Sequence, residues 1–309
     1  MGTLWSVQVV APAPELTAST LHRRVQAALD AVDARMSTFR PDSELARINA
    51  RHTTDWIPIS PALHKVLTTA LEVGELTGGA FDVTVAPLVD LWGFGPVPWH
   101  GPPDADTLRE TLTRVGQRHL ELRDDPPALR KRIPGLRIDL SALAKGYAVD
   151  QAAAALDALG LRNYLVEVGG ELRARGHNPM GRAWRIAVER PVPGARRPYA
   201  VFTLADRASA TSGDYRNFRE GRRGRYGHII DPRTGRPVPH RLASVTVVAE
   251  RCLRADALAT GLLVLGTETA LDLARRLDLA VYLIEDTPSG LQARFSPAFA
   301  ALLSSPSRP

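Results

Sequence analysis

Two oxygen-bearing side chains stand four residues apart in Ala255-Asp-Ala-Leu-Ala-Thr260. On a helix, Asp256 and Thr260 share a face. A carboxylate and a hydroxyl are hard ligands, suited to a Mg²⁺ ion that keeps waters and meets substrate phosphates. The same spacing also suits a Thr that back-bonds to its own helix and an Asp that is a first-turn charge. A second stretch, Ile138-Asp-Leu-Ser-Ala-Leu-Ala-Lys-Gly-Tyr-Ala-Val-Asp150, puts two charges at a strand-to-helix junction. Asp139 interrupts an apolar strand, and Lys145 falls in the first helical turns, where the helix dipole disfavours a cation. An Asp at a strand end beside such a Lys makes a phosphate or nucleotide site, or a capped helix with a local Asp–Lys ion pair.

Three glycine-bearing segments add to this set. Thr211-Ser-Gly-Asp214-Tyr215 reads as a small polar turn after a strand, able to offer amides to an anion. Tyr226-Gly-His228-Ile-Ile-Asp231-Pro-Arg-Thr-Gly235 sets a histidine beside a short strand and a turn. Gly169-Gly170 permits close backbone approach to a ligand, or only a tight turn. With Asp82, these residues suit a metal-bound, phosphate-bearing ligand, and spacing alone leads no further.

The elements that must position them follow from periodicity. Trp5, Val7 and Val9 alternate as a first strand. Leu21, Val25, Leu29, Val32 and Met36 share a helical face between Thr17 and Phe39. Ser60-Pro61 opens a helix with Pro in its first turn, and Thr77-Gly78-Gly79 ends it. Leu136 to Leu140 reads as a strand, with Ser141 as N-cap of the helix that runs toward Gly160. Strands are expected at Tyr164–Val168, Trp184–Glu189, Tyr199–Leu204, Ala208–Thr211 and Leu242–Val248, and helices at Ala255–Leu265 and Thr267–Leu277. Ala280 to Ile284 reads as the last clear strand. Helices and strands come in mixed order without βαβ repetition, which predicts an α+β fold with antiparallel sheets.

Composition limits the function classes. The 309 residues suffice for a large core, with 44% hydrophobic and 23% charged residues. No apolar run is long enough to span a membrane, and the N-terminus lacks a signal-peptide pattern. The single cysteine, Cys252, excludes an intrachain disulfide and reads as a packed core thiol. These features predict a cytoplasmic protein. The net charge of +6 and the basic stretch Arg216 to Arg225 suit phosphates, an acidic partner or a plain solvated loop. No zinc-finger spacing or basic-aromatic interleaving points to nucleic acid.

In order along nearly the whole chain, the sequence resembles the ApbE-type flavin transferases (FAD:protein FMN transferases). The matching segments are Met36-Ser with Ser43-Glu-Leu and Ile48-Asn, Gly79-Ala-Phe-Asp82-Val-Thr-Val with Pro87-Leu-Val, and Trp92-Gly-Phe-Gly95. They continue with Ile138-Asp-Leu-Ser, Lys145-Gly-Tyr-Ala-Val-Asp150, Val168-Gly-Gly-Glu-Leu172, Thr211-Ser-Gly-Asp-Tyr215, His228-Ile-Ile-Asp-Pro-Arg-Thr-Gly235 and Ala255-Asp-Ala-Leu-Ala-Thr260. Each is modest alone, and their common order is specific.

The resemblance implies a duplicated T-fold-like α+β core. It implies one flavin transferase domain over residues 1–303, undivided or in two subdomains around the site, and a disordered tail at 304–309. It implies Mg²⁺-dependent transfer of FMN from FAD to a Thr or Ser hydroxyl of an acceptor protein, as a phosphoester, with release of AMP. By position, Met36, Ala80, Phe81 and Asp82 would meet the flavin. Asp139, Lys145 and Ile230 would hold the nucleotide side. Asp256, the Thr260 hydroxyl and the main-chain oxygen of Ala142 would take the metal. His228 is assigned as the general base, with Asp214 second. FAD hydrolysis to FMN and AMP, and flavin binding without turnover, are the competing readings.

Overall fold

The computed structural model describes residues 2–303 apart from Pro96, Pro193, Ala195, Arg196, 214–217 and 222–223. The elements run β1 (Trp5–Val9), α1 (Ala18–Met36), α2 (Glu44–Ala50), β2 (Ile57–Pro58), α3 (Pro61–Leu76), α4 (Ala86–Leu91), α5 (Ala105–Leu112), β3 (Leu120–Arg123) and β4 (Ala128–Lys131). Then come α6 (Ala144–Asp157), β5 (Tyr164–Val168), β6 (Glu171–Arg175), β7 (Trp184–Glu189), β8 (Pro198–Leu204), β9 (Ala208–Gly213), β10 (Phe218–Gly221) and β11 (Gly224–Gly227). The chain closes with β12 (Ile230–Asp231), β13 (Arg236–Pro237), β14 (Leu242–Ala249), α7 (Cys252–Leu265), α8 (Thr267–Arg276), β15 (Ala280–Thr287), β16 (Gly290–Phe295) and α9 (Pro297–Ala300).

Side-chain caps start several helices where the sequence places them. Thr17, Ser43 and Ser60 each accept from the amide three residues on, supplying an acceptor that the first helical turn lacks. The chief sheet has seven antiparallel strands in the order β1-β5-β6-β9-β14-β15-β16. Helix α7 packs against β9 and β14, flanked by α6, α3 and α8. Its apolar residues face every direction, as a helix enclosed by the core requires. Gly261 lets it approach α3, since a Cβ there would sit 2.9 Å from the Thr77 methyl. The opposite sheet face is covered by the β7–β8 hairpin, through Trp184, Ile186, Phe202 and Leu204 against Tyr282 and Ile284. The mixed α+β architecture is as expected.

Four local expectations are corrected. Leu136–Leu140 joins no ladder among the described residues. The Asn49 side chain takes the place of a partner strand, donating to Ile138 O and accepting from Ile138 N at 2.8 Å each. Ser141 is exposed and is not the cap of α6, which starts at Ala144 without a side-chain cap. Its amide instead donates to Asp139 Oδ1 at 2.8 Å, so the Asp139 carboxylate organises the turn. Thr211–Gly213 is not a turn but the end of β9, paired along β14. Finally, β16 follows Ile284 as a further strand on the sheet edge. The expected tail at 304–309 lies outside the described residues.

Candidate active site

Helices α6 and α7 meet in antiparallel fashion, and their contact builds the floor of the site. Gly146 is required there: a Cβ would lie 2.4 Å from Cys252 O and 2.7 Å from Asp256 Cβ. Four residues on, the Asp150 carboxylate accepts from the Cys252 and Leu253 amides at 3.1 Å each, capping α7 from a neighbouring helix. Arg173 donates to that carboxylate at 2.7 Å. The Gly146 amide donates to Asp256 Oδ2 at 2.8 Å. In a continuous helix it would be donated to Ala142 O. Helix α6, however, begins only at Ala144, so the Gly146 amide is a first-turn donor without an acceptor in its own helix, and Asp256 supplies one. Ala142, just before the helix, lines a cavity that it shares with Asp256 and Thr260.

That cavity measures about 420 Å³, within the usual range of ligand sites. Ala80, Phe81, Asp82, Asp139, Ala142, Lys145, His228, Ile230, Asp256 and Thr260 all line it. An adjoining cavity of about 300 Å³ shares Val89, Asp139, Ser141 and His228 with it, so the two form one cleft. His228 stands where they meet, edge-on to Phe94 with ring centroids 6.1 Å apart. Asp82 lines the cavity while both its oxygens are engaged. Oδ1 accepts from the Thr84 amide and hydroxyl at 2.8 and 2.6 Å, and Oδ2 from the Gln117 amide at 2.8 Å. Met36 is the exception: it is buried in the main core and lines neither cavity. Asp214 lies outside the described residues.

The local Asp139–Lys145 pair does not form. The Lys145 ammonium binds Glu171 on β6 instead. Glu171 is only 2% exposed and Asp256 only 3%, so one cation serves two buried carboxylates. Burial raises the Glu171 carboxyl above its ordinary value, aided by the Asp256 charge and opposed by Lys145. Burial also raises the Asp256 carboxyl, against the pull of Lys145 and the Gly146 amide. For Lys145, burial works against the charge, but the two carboxylates outweigh it and hold the ammonium above its ordinary value. Lys145 is therefore a fixed positive charge at neutral pH.

Sequence reasoning missed Glu171 and the role of Ser212. Glu171 follows the Gly169-Gly170 hairpin turn, where both glycines have positive φ. The available signal was a charged residue at an inward-facing strand position. Ser212 Oγ lies 2.9 Å from Thr260 Oγ1 and fixes that hydroxyl across the sheet–helix contact. Among the described residues, no cluster of three or more His, Cys, Asp or Glu side chains is arranged to hold a metal. A cation here would depend on mixed donors: the Asp256 carboxylate, the Thr260 hydroxyl and the Ala142 carbonyl. These are hard oxygen ligands of the kind Mg²⁺ takes, and all three residues line the same cavity. Of the basic stretch Arg216 to Arg225, the described residues belong to the paired strands β10 and β11, and Arg219 donates to Gly93 O at 2.6 Å.

The family model described as the ApbE family matches residues 1–283. The chain belongs to the ApbE family. A Salmonella typhimurium relative named FAD:protein FMN transferase is 42% identical over 308 residues, covering 98% of this chain and 87% of that protein. The Haemophilus influenzae protein of the same name is also 42% identical, over 98% of this chain and 89% of its own length. Among solved structures, the flavin transferase ApbE from Vibrio cholerae superposes with a TM-score of 0.90 at 40% identity, covering 98% and 96% of the two chains. The apo flavinyl transferase ApbE of Pseudomonas stutzeri gives a TM-score of 0.88 at 36% identity, covering 98% and 94%. Among the described residues of this ApbE family member, no helix is long and apolar enough to cross a membrane.

Proposed function

We propose that this protein is an FAD:protein FMN transferase. It moves the FMN half of FAD to a Thr or Ser hydroxyl of an acceptor protein, as a phosphoester, releases AMP, and depends on Mg²⁺. The supporting observation is the convergence of Lys145, Asp256, Thr260, the Ala142 carbonyl and His228 on one cleft, in a chain whose relatives carry that name.

The chain's own groups divide the chemistry. Asp256, the Thr260 hydroxyl and the Ala142 carbonyl would hold Mg²⁺, which when bound neutralises charge on the pyrophosphate oxygens. Lys145 adds a fixed positive charge beside the same oxygens, kept protonated by Glu171 and Asp256. Ala80, Phe81 and Ile230 supply an apolar wall for the flavin. His228 takes the proton of the acceptor hydroxyl as that oxygen bonds to the FMN-side phosphorus. The bridging P–O bond breaks, and its electron pair leaves with AMP. Positioning in the cleft does most of the rest.

The test is intact mass of an acceptor domain bearing a flavinylation Thr, incubated with this protein, FAD and Mg²⁺, beside an Asp256→Ala control. One FMN phosphoester per acceptor, dependent on protein and metal, is the expected result. Free FMN and AMP without an adduct would assign a hydrolase, and intact bound FAD would assign a carrier.

A further inference from the structure

The Glu171 carboxylate has one oxygen the site has not yet used. Glu171 opens β6 directly after the Gly169-Gly170 turn and lines the main cavity. Its Oε1 accepts from Lys145 Nζ. Its Oε2 is buried and has no hydrogen-bond partner among the described residues. A carboxylate oxygen withdrawn from water and left without a donor is costly, so such groups have partners in working proteins. The surroundings indicate which donor it needs. Lys145, Glu171 and Asp256 together carry one cation and two carboxylates, leaving an excess of negative charge in a buried cluster. A divalent cation on Asp256 would offset that excess. Mg²⁺ keeps several of its waters when protein-bound, and those waters donate to carboxylates just outside the coordination sphere.

We propose that Glu171 is a positioning residue for the cation: Oε1 fixes the Lys145 ammonium, and Oε2 accepts a hydrogen bond from a water on a divalent ion held at Asp256 and Thr260. This rests on the reading of Asp256, Thr260 and Ala142 as the metal ligands. It makes the metal site and the phosphate-facing lysine one unit, joined by a carboxylate that touches both.

The test uses the full chain without FAD, so that contacts between Lys145 and phosphate do not enter. Metal-free protein is titrated with Mn²⁺, and free Mn²⁺ is read by electron paramagnetic resonance. Glu171→Gln is expected to raise the Mn²⁺ Kd by about tenfold or more, with a cooperative thermal melt retained. Glu171→Asp keeps the charge but withdraws the oxygen by one methylene, and is expected to raise it by about threefold. A residue that only supported the fold would lower Tm and leave the Kd alone. A Kd within twofold of wild type in a folded Gln variant overturns the assignment. If that variant does not melt cooperatively, the same limit applied to the Asp variant decides. Wild-type protein that binds no Mn²⁺ removes the ligand reading and this inference with it. Wild-type FMN transfer with unchanged Mn²⁺ binding in the variant overturns this inference only.

Discussion

Gly146 donates its amide to the Asp256 carboxylate across the α6–α7 contact, at 2.8 Å, over a sequence separation of 110 residues. One hydrogen bond thereby ties the two helices together and orients the carboxylate. Gly146→Ala should break both. Its Cβ would meet backbone at Cys252 O, which cannot swing aside. We expect a loss of about 1–3 kcal/mol in denaturant unfolding, and a metal affinity that falls even in the folded fraction. Unchanged stability and metal binding would mean that the helices can separate at little cost.

Asp256→Asn should separate stability from function. The carboxylate is buried and its protonation is favoured by that burial, so its charge is a cost that the fold carries. The amide keeps an acceptor for the Gly146 N–H and removes the excess charge from the cluster. We expect a Tm equal to or above that of wild type, with transfer reduced at least about 100-fold. A marked drop in Tm would show that the charge itself supports the fold.

His228→Asn tests the proton acceptor. The variant should bind FAD with affinity close to wild type, while kcat for transfer falls by roughly 10²–10⁴-fold. Flavin fluorescence titration and single-turnover mass spectrometry read the two quantities separately. A variant with unchanged kcat would pass the role to another group.

A pH effect on stability comes from Lys131, which lines neither cavity. Its side chain is fully buried, and Nζ donates to Ile48 O and Arg51 O at the C-terminal end of α2, at 2.7 and 2.9 Å. Burial, with the Arg137 charge, lowers its pKa from 10.5 to about 8. Between those values the unfolded chain holds a proton that the folded chain has released. Stability contributed by this group therefore rises with pH across about 8 to 10.5, by about 1–3 kcal/mol. Urea unfolding at pH 7.5 and 9.5 should show the rise in wild type and its loss in Lys131→Met. Equal slopes in the two proteins would remove Lys131 as the cause.

Much of the local structure was legible in the sequence. Thr17 and Ser60 cap helices whose apolar spacing alone marks them. Trp5, Val7 and Val9 alternate as β1. Asp256 and Thr260 share a face because a helix returns to the same side every four residues. These are short-range consequences of backbone geometry, so neighbouring residues suffice to state them. The tertiary structure alone decided which groups meet. It gave Lys145 to Glu171 rather than to Asp139, and gave Ile138 the Asn49 amide in place of a strand. It placed Ser212 on Thr260 and drew Met36 into the core, off the cleft wall. A buried charge takes whatever partner the packing of distant elements supplies, and local spacing carries no record of that choice.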